Sequence, residues 1–239
     1  MLKNKLKIGI LGGMGPAATA DLYQKIILCT PAKRDQDHLH ILINNNPQIP
    51  DRNTALHGKG PDPLPLMLES ARELENAKVD FIVIPCNTAH AFVPRLAQNL
   101  KTPILSMVQV CVEYAIKQYP GIKKVGLLAT CGTILSNIYN EEFAKKGITV
   151  VIPEEKLQKQ NVMQAIFGQE GIKAGNTSAT PHRLLVEAAH HLEEKGAEII
   201  LMACTEIPLV LRSGDTQAPL LDFTTLLAQA TVKKALGTE

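Results

Sequence analysis

The chain has 239 residues, 45% of them apolar and 20% charged, a balance that supports a sizeable buried core and excludes a disordered polypeptide. Aromatic residues make up only 4%, with no tryptophan, so that core is aliphatic and there is no stacking platform for RNA. With 25 basic against 23 acidic side chains the formal charge is +2, which removes a general electrostatic case for nucleic acid or an anionic membrane surface.

In chain order, a first strand is predicted over 7–11, where Gly12 and Gly13 end the apolar run too early for a signal peptide. A helix follows over 17–29, a strand over 39–44, a helix over 63–77 and a strand over 80–85. Helix 89–99, strand 103–106, helix 107–119 and strand 124–129 come next. The rest reads as helix 134–146, strand 148–152, helix 181–195, strand 198–203, strand 218–221 and helix 222–236. Continuous apolar strands alternating with helices predict an α/β fold with mainly parallel sheets flanked by helices. The apolar runs fall far short of the ~20 residues that span a bilayer. Five scattered cysteines, an odd number, predict reduced thiols and a cytoplasmic location, not a disulfide framework.

The sequence also repeats itself weakly. Lys7-Ile-Gly-Ile-Leu-Gly-Gly-Met-Gly-Pro16 aligns with Lys124-Val-Gly-Leu-Leu-Ala-Thr-Cys-Gly-Thr133, and the segment ending at Cys86 aligns with the one ending at Cys204. Pro103-Ile-Leu-Ser and Pro219-Leu-Leu-Asp add a third pair, all at offsets of 116 to 118 residues. Chance likeness between α/β segments competes with this reading, but three matches in one order favour duplication. The expectation is two similar lobes, 1–102 and 103–216, the first completed by 217–239, related by a pseudo-twofold axis with a cleft between them.

Ligands of open α/β sheets bind beyond the carboxyl ends of the strands. Four segments fit: Gly12-Gly-Met-Gly15, Cys86-Asn-Thr88, Thr130-Cys-Gly-Thr133 and Cys204-Thr-Glu206. Gly13-Met-Gly15-Pro-Ala-Ala18 matches a dinucleotide pattern, but Asp35 and Asp37 precede the second strand instead of ending it. The loop, Met14 included, reads better as backbone N–H groups around a small carboxylate at a helix start. No phosphate-binding G-x-x-x-x-G-K-[ST] occurs.

A strand-end cysteine is ordinarily a small buried hydrophobe. Cys86 and Cys204, however, occupy equivalent repeat positions, each followed by polar residues, and a turn opening a helix favours the thiolate. Facing one another across the cleft, they suit removal of a proton from one face of a carbon and its replacement on the other. Metal chemistry wants C-x-x-C or Cys/His spacing, which is missing. His38 and His40 read as surface or structural, and His182, His190 and His191 as solvent-facing on a helix. His90 either orients Cys86 or serves as base in a Cys–His hydrolase. Cys29 and Cys111 read as core, and Cys131 as a pocket-lining residue. Arg52, in a Pro-rich stretch expected to be irregular, and Lys173 in the second half are either surface charges or carboxylate ligands.

On these motifs (Ile10-Leu-Gly-Gly-Met-Gly-Pro16, Pro50-Asp-Arg52, Pro85-Cys-Asn-Thr-Ala-His90, Gly126-Leu-Leu-Ala-Thr130, Lys173 and Ala203-Cys-Thr-Glu206) the chain resembles the aspartate/glutamate racemases, which work without PLP. The resemblance spans nearly the whole chain. It implies two α/β lobes, Cys86 and Cys204 as the acid/base thiols, and no cofactor or metal. It further implies Asn87, Thr88, Thr130 and Thr205 as ligands of the α-carboxylate and amino group, Arg52 as ligand of a side-chain carboxylate, and Lys173 as supporting charge. Some relatives carry Thr for one cysteine and run one way; both are present here. Cys131 departs from the commoner residue of its loop. The expected substrate is a small acidic amino acid, aspartate or glutamate, with a homodimer as the expected assembly and no nucleic-acid or membrane partner. A cysteine-dependent maleate isomerase or decarboxylase, and a two-lobed small-ligand-binding protein, are the alternatives.

Overall fold

The computed structural model describes residues 5–238. Its first strand, β1 (Ile8–Gly12), is buried along its whole length, as the unbroken apolar run requires of a strand covered on both faces. Pro16, pre-set in φ and lacking an N–H, opens α1 (Pro16–Cys29) directly after it. Then come β2 (Ile41–Asn45), α2 (Arg52–Leu56), α3 (Leu64–Asn76), β3 (Phe81–Val83), a 3-10 turn at Thr88–Phe92, α4 (Val93–Ala97), β4 (Ile104–Leu105) and α5 (Met107–Gln118). The four strands pair in parallel in the order β2-β1-β3-β4. The two central strands are the fully buried ones, and the edge strands are half exposed.

The second half follows the same plan. β5 (Lys124–Ala129) leads through α6 (Cys131–Leu135) and α7 (Ile138–Ala144) to β6 (Thr149–Val151). After α8 (Glu155–Leu157), a π-helical turn at Gln158–Met163, α9 (Gln164–Phe167), a 3-10 turn at Ile172–Ala174 and α10 (Ala179–Glu194), the chain forms β7 (Ile199–Ala203). A short turn, β8 (Leu220–Asp222) and α11 (Phe223–Leu236) complete it. The order β6-β5-β7-β8, again parallel, repeats the first sheet strand for strand. The eight strands fall where the apolar runs predict them.

Two compact units divide the described chain, residues 5–110 with 224–238 and Cys111–Phe223. The chain changes unit inside α5 and again at the start of α11, whereas the sequence repeat places the divisions at 102 and 216. α11 ties to the first unit through Leu6, whose N–H donates to the Ala235 carbonyl at 3.0 Å, and through Lys234 lying 5.5 Å from the Phe81 ring.

Three local readings differ from the sequence expectation. The predicted helix 134–146 is two helices, broken at Asn137, which takes the left-handed φ of 54° that asparagine tolerates. The segment 155–167, for which no element is predicted, is helical: a π turn separates α8 from α9, and Val162, Ala165 and Ile166, at ordinary helical spacing, pack in one cluster with Leu185, Ala188 and Ala189 of α10. Arg52 does not lie in irregular chain but opens α2, whose start Asp51 caps by accepting the Thr54 N–H at 2.8 Å.

Candidate active site

In each sheet the chain direction across the strands reverses between the two central ones, which makes the carboxyl ends of β1 and β3, and of β5 and β7, the natural ligand positions. β1 and β3 pair through Ile10 and Val83, so the Gly12–Gly15 loop and Cys86 leave adjacent strands. β5 and β7 pair through Ala129 and Ala203, which sets Thr130 beside Cys204 at the strand ends. Each cysteine is about 6% exposed.

In the first unit the Cys86 N–H folds back onto the Ile84 carbonyl at 2.9 Å, turning the chain at the thiol. His90, one turn on, has both ring nitrogens engaged. Nε2 accepts the Met107 N–H at 3.1 Å, so Nδ1 carries the proton and donates it to the Cys86 carbonyl at 2.8 Å. Burial pushes the imidazole down to about 4, against which the Cys86 contact acts weakly. His90 is therefore a neutral strut under Cys86, and the Cys–His hydrolase alternative loses its base.

Arg52 is buried and gives three hydrogen bonds to backbone carbonyls, from Nη1 to Ile49 at 3.1 Å and Pro50 at 2.9 Å, and from Nη2 to Met14 at 3.0 Å. It thereby fastens the glycine loop to the 45–52 segment. A guanidinium has five N–H donors. Nε, buried without a hydrogen-bond partner among the described residues, is one of those left. The glycine loop is also tied internally. Gly13 sits at φ +90°, where a Cβ would lie 2.3 Å from the Asn46 carbonyl carbon. Its N–H donates to Thr19 Oγ1 at 2.9 Å, so this amide at least is not part of a ligand cradle. The Met14 side chain belongs to the core. Asn87 and Thr88, directly after Cys86, are buried.

In the second unit Thr130 caps α6, its Oγ1 accepting the Thr133 N–H at 3.4 Å. Cys131 is half-buried and held by the π turn, donating its N–H to Met163 Sδ at 3.4 Å while Sγ lies 3.7 Å from Gln158 Nε2. Cys204 Sγ donates to Glu206 Oε2 at 3.0 Å, and Thr205 Oγ1 donates to the same oxygen at 3.3 Å. The other oxygen, Oε1, is paired with Lys173 Nζ, which also lies 5.5 Å from the Phe167 ring centre. Burial, and then the Glu206 charge, push the Cys204 thiol well above its ordinary range, with Lys173 opposing. This corrects the expectation that the turn favours a thiolate there. Glu206 was legible only as a polar residue after a cysteine; the carboxylate two positions from the thiol was the signal for its role.

Among the remaining candidates, Cys111 is core, whereas Cys29 is half-buried at the end of α1 and not a core residue. His182 and His190 are on the open side of α10, but His191 corrects the solvent-facing expectation, its side chain being largely covered. Among the described residues no cluster of His, Cys, Asp or Glu is arranged to hold a metal ion, and no helix is long and apolar enough to cross a membrane.

Two parallel four-stranded sheets of one strand order, flanked by helices, are the α/β fold of the racemase class of isomerases. The Asp/Glu/hydantoin racemase family profile matches residues 11–231, and the chain belongs to that family. It is 32% identical over 239 residues to the broad specificity amino-acid racemase RacX of Bacillus subtilis (strain 168), covering 96% of this chain and 98% of the relative. The aspartate racemase of Picrophilus torridus superposes with a TM-score of 0.83 at 29% identity, over 96% of this chain and 94% of that one. The glutamate racemase of Francisella tularensis subsp. tularensis SCHU S4, solved with D-glutamate, superposes with a TM-score of 0.71 at 18% identity, over 98% and 82%, a likeness of fold alone.

Proposed function

We propose that this racemase inverts the α-carbon of an acidic amino acid, L-aspartate to D-aspartate and back with glutamate as a further substrate, by two-base proton transfer between Cys86 and Cys204. The observation that carries the reading is the equivalent seat of the two thiols, each at the carboxyl end of a central strand beside the reversal of its sheet. One sulfur, as thiolate, takes the α-proton from its face; the other, as thiol, delivers a proton to the opposite face. Cys204, by the family resemblance, serves the L-enantiomer and Cys86 the D-enantiomer. An α-proton is far less acidic than a thiol, so the carbanion needs preorganised donors around the carboxylate and exclusion of water. Asn87, Thr88, Thr130 and Thr205, all buried, are the side chains we assign to the α-carboxylate and amino group. Lys173 supplies charge from the second unit, and Arg52 directs its remaining N–H donors to the side-chain carboxylate.

A second reading, a broad substrate range, has two observations in its favour. The relative from Bacillus subtilis is named a broad specificity racemase, and three of the Arg52 donors are engaged by backbone. The test is incubation of both enantiomers of aspartate, glutamate, lysine and leucine in D₂O without added PLP, followed by chiral analysis and mass spectrometry. Deuterium at the inverted α-carbon of the acidic pair alone supports the first reading, and of all four the second. Isomerisation of maleate incubated in parallel, with no α-deuteration of any of the amino acids, would overturn both.

A further inference from the structure

Resting on the two-base reading above, we propose that Glu206, bridged to Lys173, is a positioning residue that keeps the exchangeable proton on Cys204, so that Cys204 is the proton donor of the free enzyme.

The geometry is a short chain within one unit. Cys204 follows β7, Glu206 lies two residues further in the same turn, and Lys173 comes from the 3-10 turn at Ile172–Ala174. The Cys204 S–H points at Glu206 Oε2 across 3.0 Å, while Lys173 holds Oε1. Glu206 is 3% exposed, so its carboxylate is fixed by these partners and by Thr205 and not by bulk water. Leu128, Met202 and Ile207 belong to the same hydrophobic cluster as Cys204. Among the described residues, Glu206 and Lys173 are the charged groups that act on the sulfur, and they act in opposite directions. A carboxylate at hydrogen-bond distance accepts the S–H and repels a thiolate; the ammonium beyond it limits that repulsion.

The consequence is an asymmetry that the repeat does not reveal. In the first unit the side chain at the corresponding position after Cys86 is Thr88, which carries no charge. A site with one proton to share between two thiols then keeps it on Cys204. The enantiomer whose α-hydrogen faces Cys86 is received without a prior proton shift.

Thiolate ultraviolet absorbance against pH, taken as the difference between each protein and its Cys204→Ser counterpart, isolates the titration of Cys204. In Glu206→Gln the midpoint falls by about one pH unit or more, because the repelling charge is gone and Lys173 remains. Glu206→Asp restores part of the shift, and Lys173→Met moves the midpoint upward. The alkaline limb of the racemisation profile follows the same directions. An unmoved or raised midpoint in Glu206→Gln overturns the proposal, and so does an unmoved one in Lys173→Met, which serves if the first variant does not fold. The titration needs no turnover, so a chain that fails to exchange α-protons would refute the racemase reading while leaving this result to be read.

Discussion

Replacing His90 by leucine keeps the volume of the side chain and removes both of its hydrogen bonds. The Cys86 carbonyl and the Met107 N–H are left buried without their partner. At roughly 1–3 kcal/mol for each unsatisfied group, the cost at pH 7.5 is about 4 kcal/mol. The pH dependence carries the sharper test. The imidazole titrates near 6.5 when unfolded and at about 4 in the folded protein. Between those values the unfolded chain binds a proton that the native state does not, so stability from this residue is full above 6.5 and declines as pH falls toward 4. By pH 5 the wild-type protein has lost about 2 kcal/mol through His90 alone. The leucine variant has no such loss, and every other group titrates alike in both. Urea unfolding followed by circular dichroism should therefore show a difference of about 4 kcal/mol at pH 7.5 that narrows to about 2 kcal/mol at pH 5. A difference below about 1 kcal/mol, or one that does not change with pH, would refute the neutral-strut account.

Arg52→Lys is expected to lose most of the three carbonyl contacts, because an ammonium cannot reproduce the planar fork, and to cost about 2–4 kcal/mol in urea unfolding; a change within about 0.5 kcal/mol would mean the fastening of the glycine loop is immaterial. Gly13→Ala places a Cβ against the Asn46 backbone at a φ of +90° and should destabilise by about 2 kcal/mol or more; an unchanged melting temperature refutes the close approach. Cys86→Ser and Cys204→Ser should each lose at least ~1000-fold in racemisation, on the order of 4 kcal/mol of barrier. Cys86→Ser should still exchange deuterium preferentially into L-aspartate and Cys204→Ser into D-aspartate, as read by mass spectrometry. Equal exchange patterns would overturn the facial assignment, and full activity in either variant the two-base mechanism.

The residues that frame the site divide by how far their information reaches. Cys86 and Cys204 could be picked out because each closes an apolar run whose counterpart recurs in the other half. Thr130 and the glycine loop follow from the same pattern. Arg52 and Lys173 could be named as cations but not given partners. In the sequence Arg52 reads as a surface charge or a carboxylate ligand in an irregular, Pro-rich stretch; in the fold Asp51 caps a helix there, and three of the guanidinium's donors go to backbone carbonyls. The helical segment at 155–167 escaped for a different reason. Its polar run Gln158-Lys-Gln-Asn161 leaves Leu157 and Val162 five residues apart, a gap that suits the π turn and not the α-helical period by which a helix is recognised.

The sequence by itself determined the eight strands, their alternation with helices, the duplicated plan and the thiols at the strand ends. These are consequences of local apolar patterning, which acts over a few residues and is written in the chain at the place where it acts. Tertiary structure alone decided what each polar side chain does. Arg52, Lys173 and His90 each have a partner distant in the chain, at separations of 38, 33 and 17 residues. The His90 tautomer and the contacts of the two cations are set by neighbours that meet only in the folded chain, in an interior where an unpaired donor or charge costs more than the bond it would have made in water.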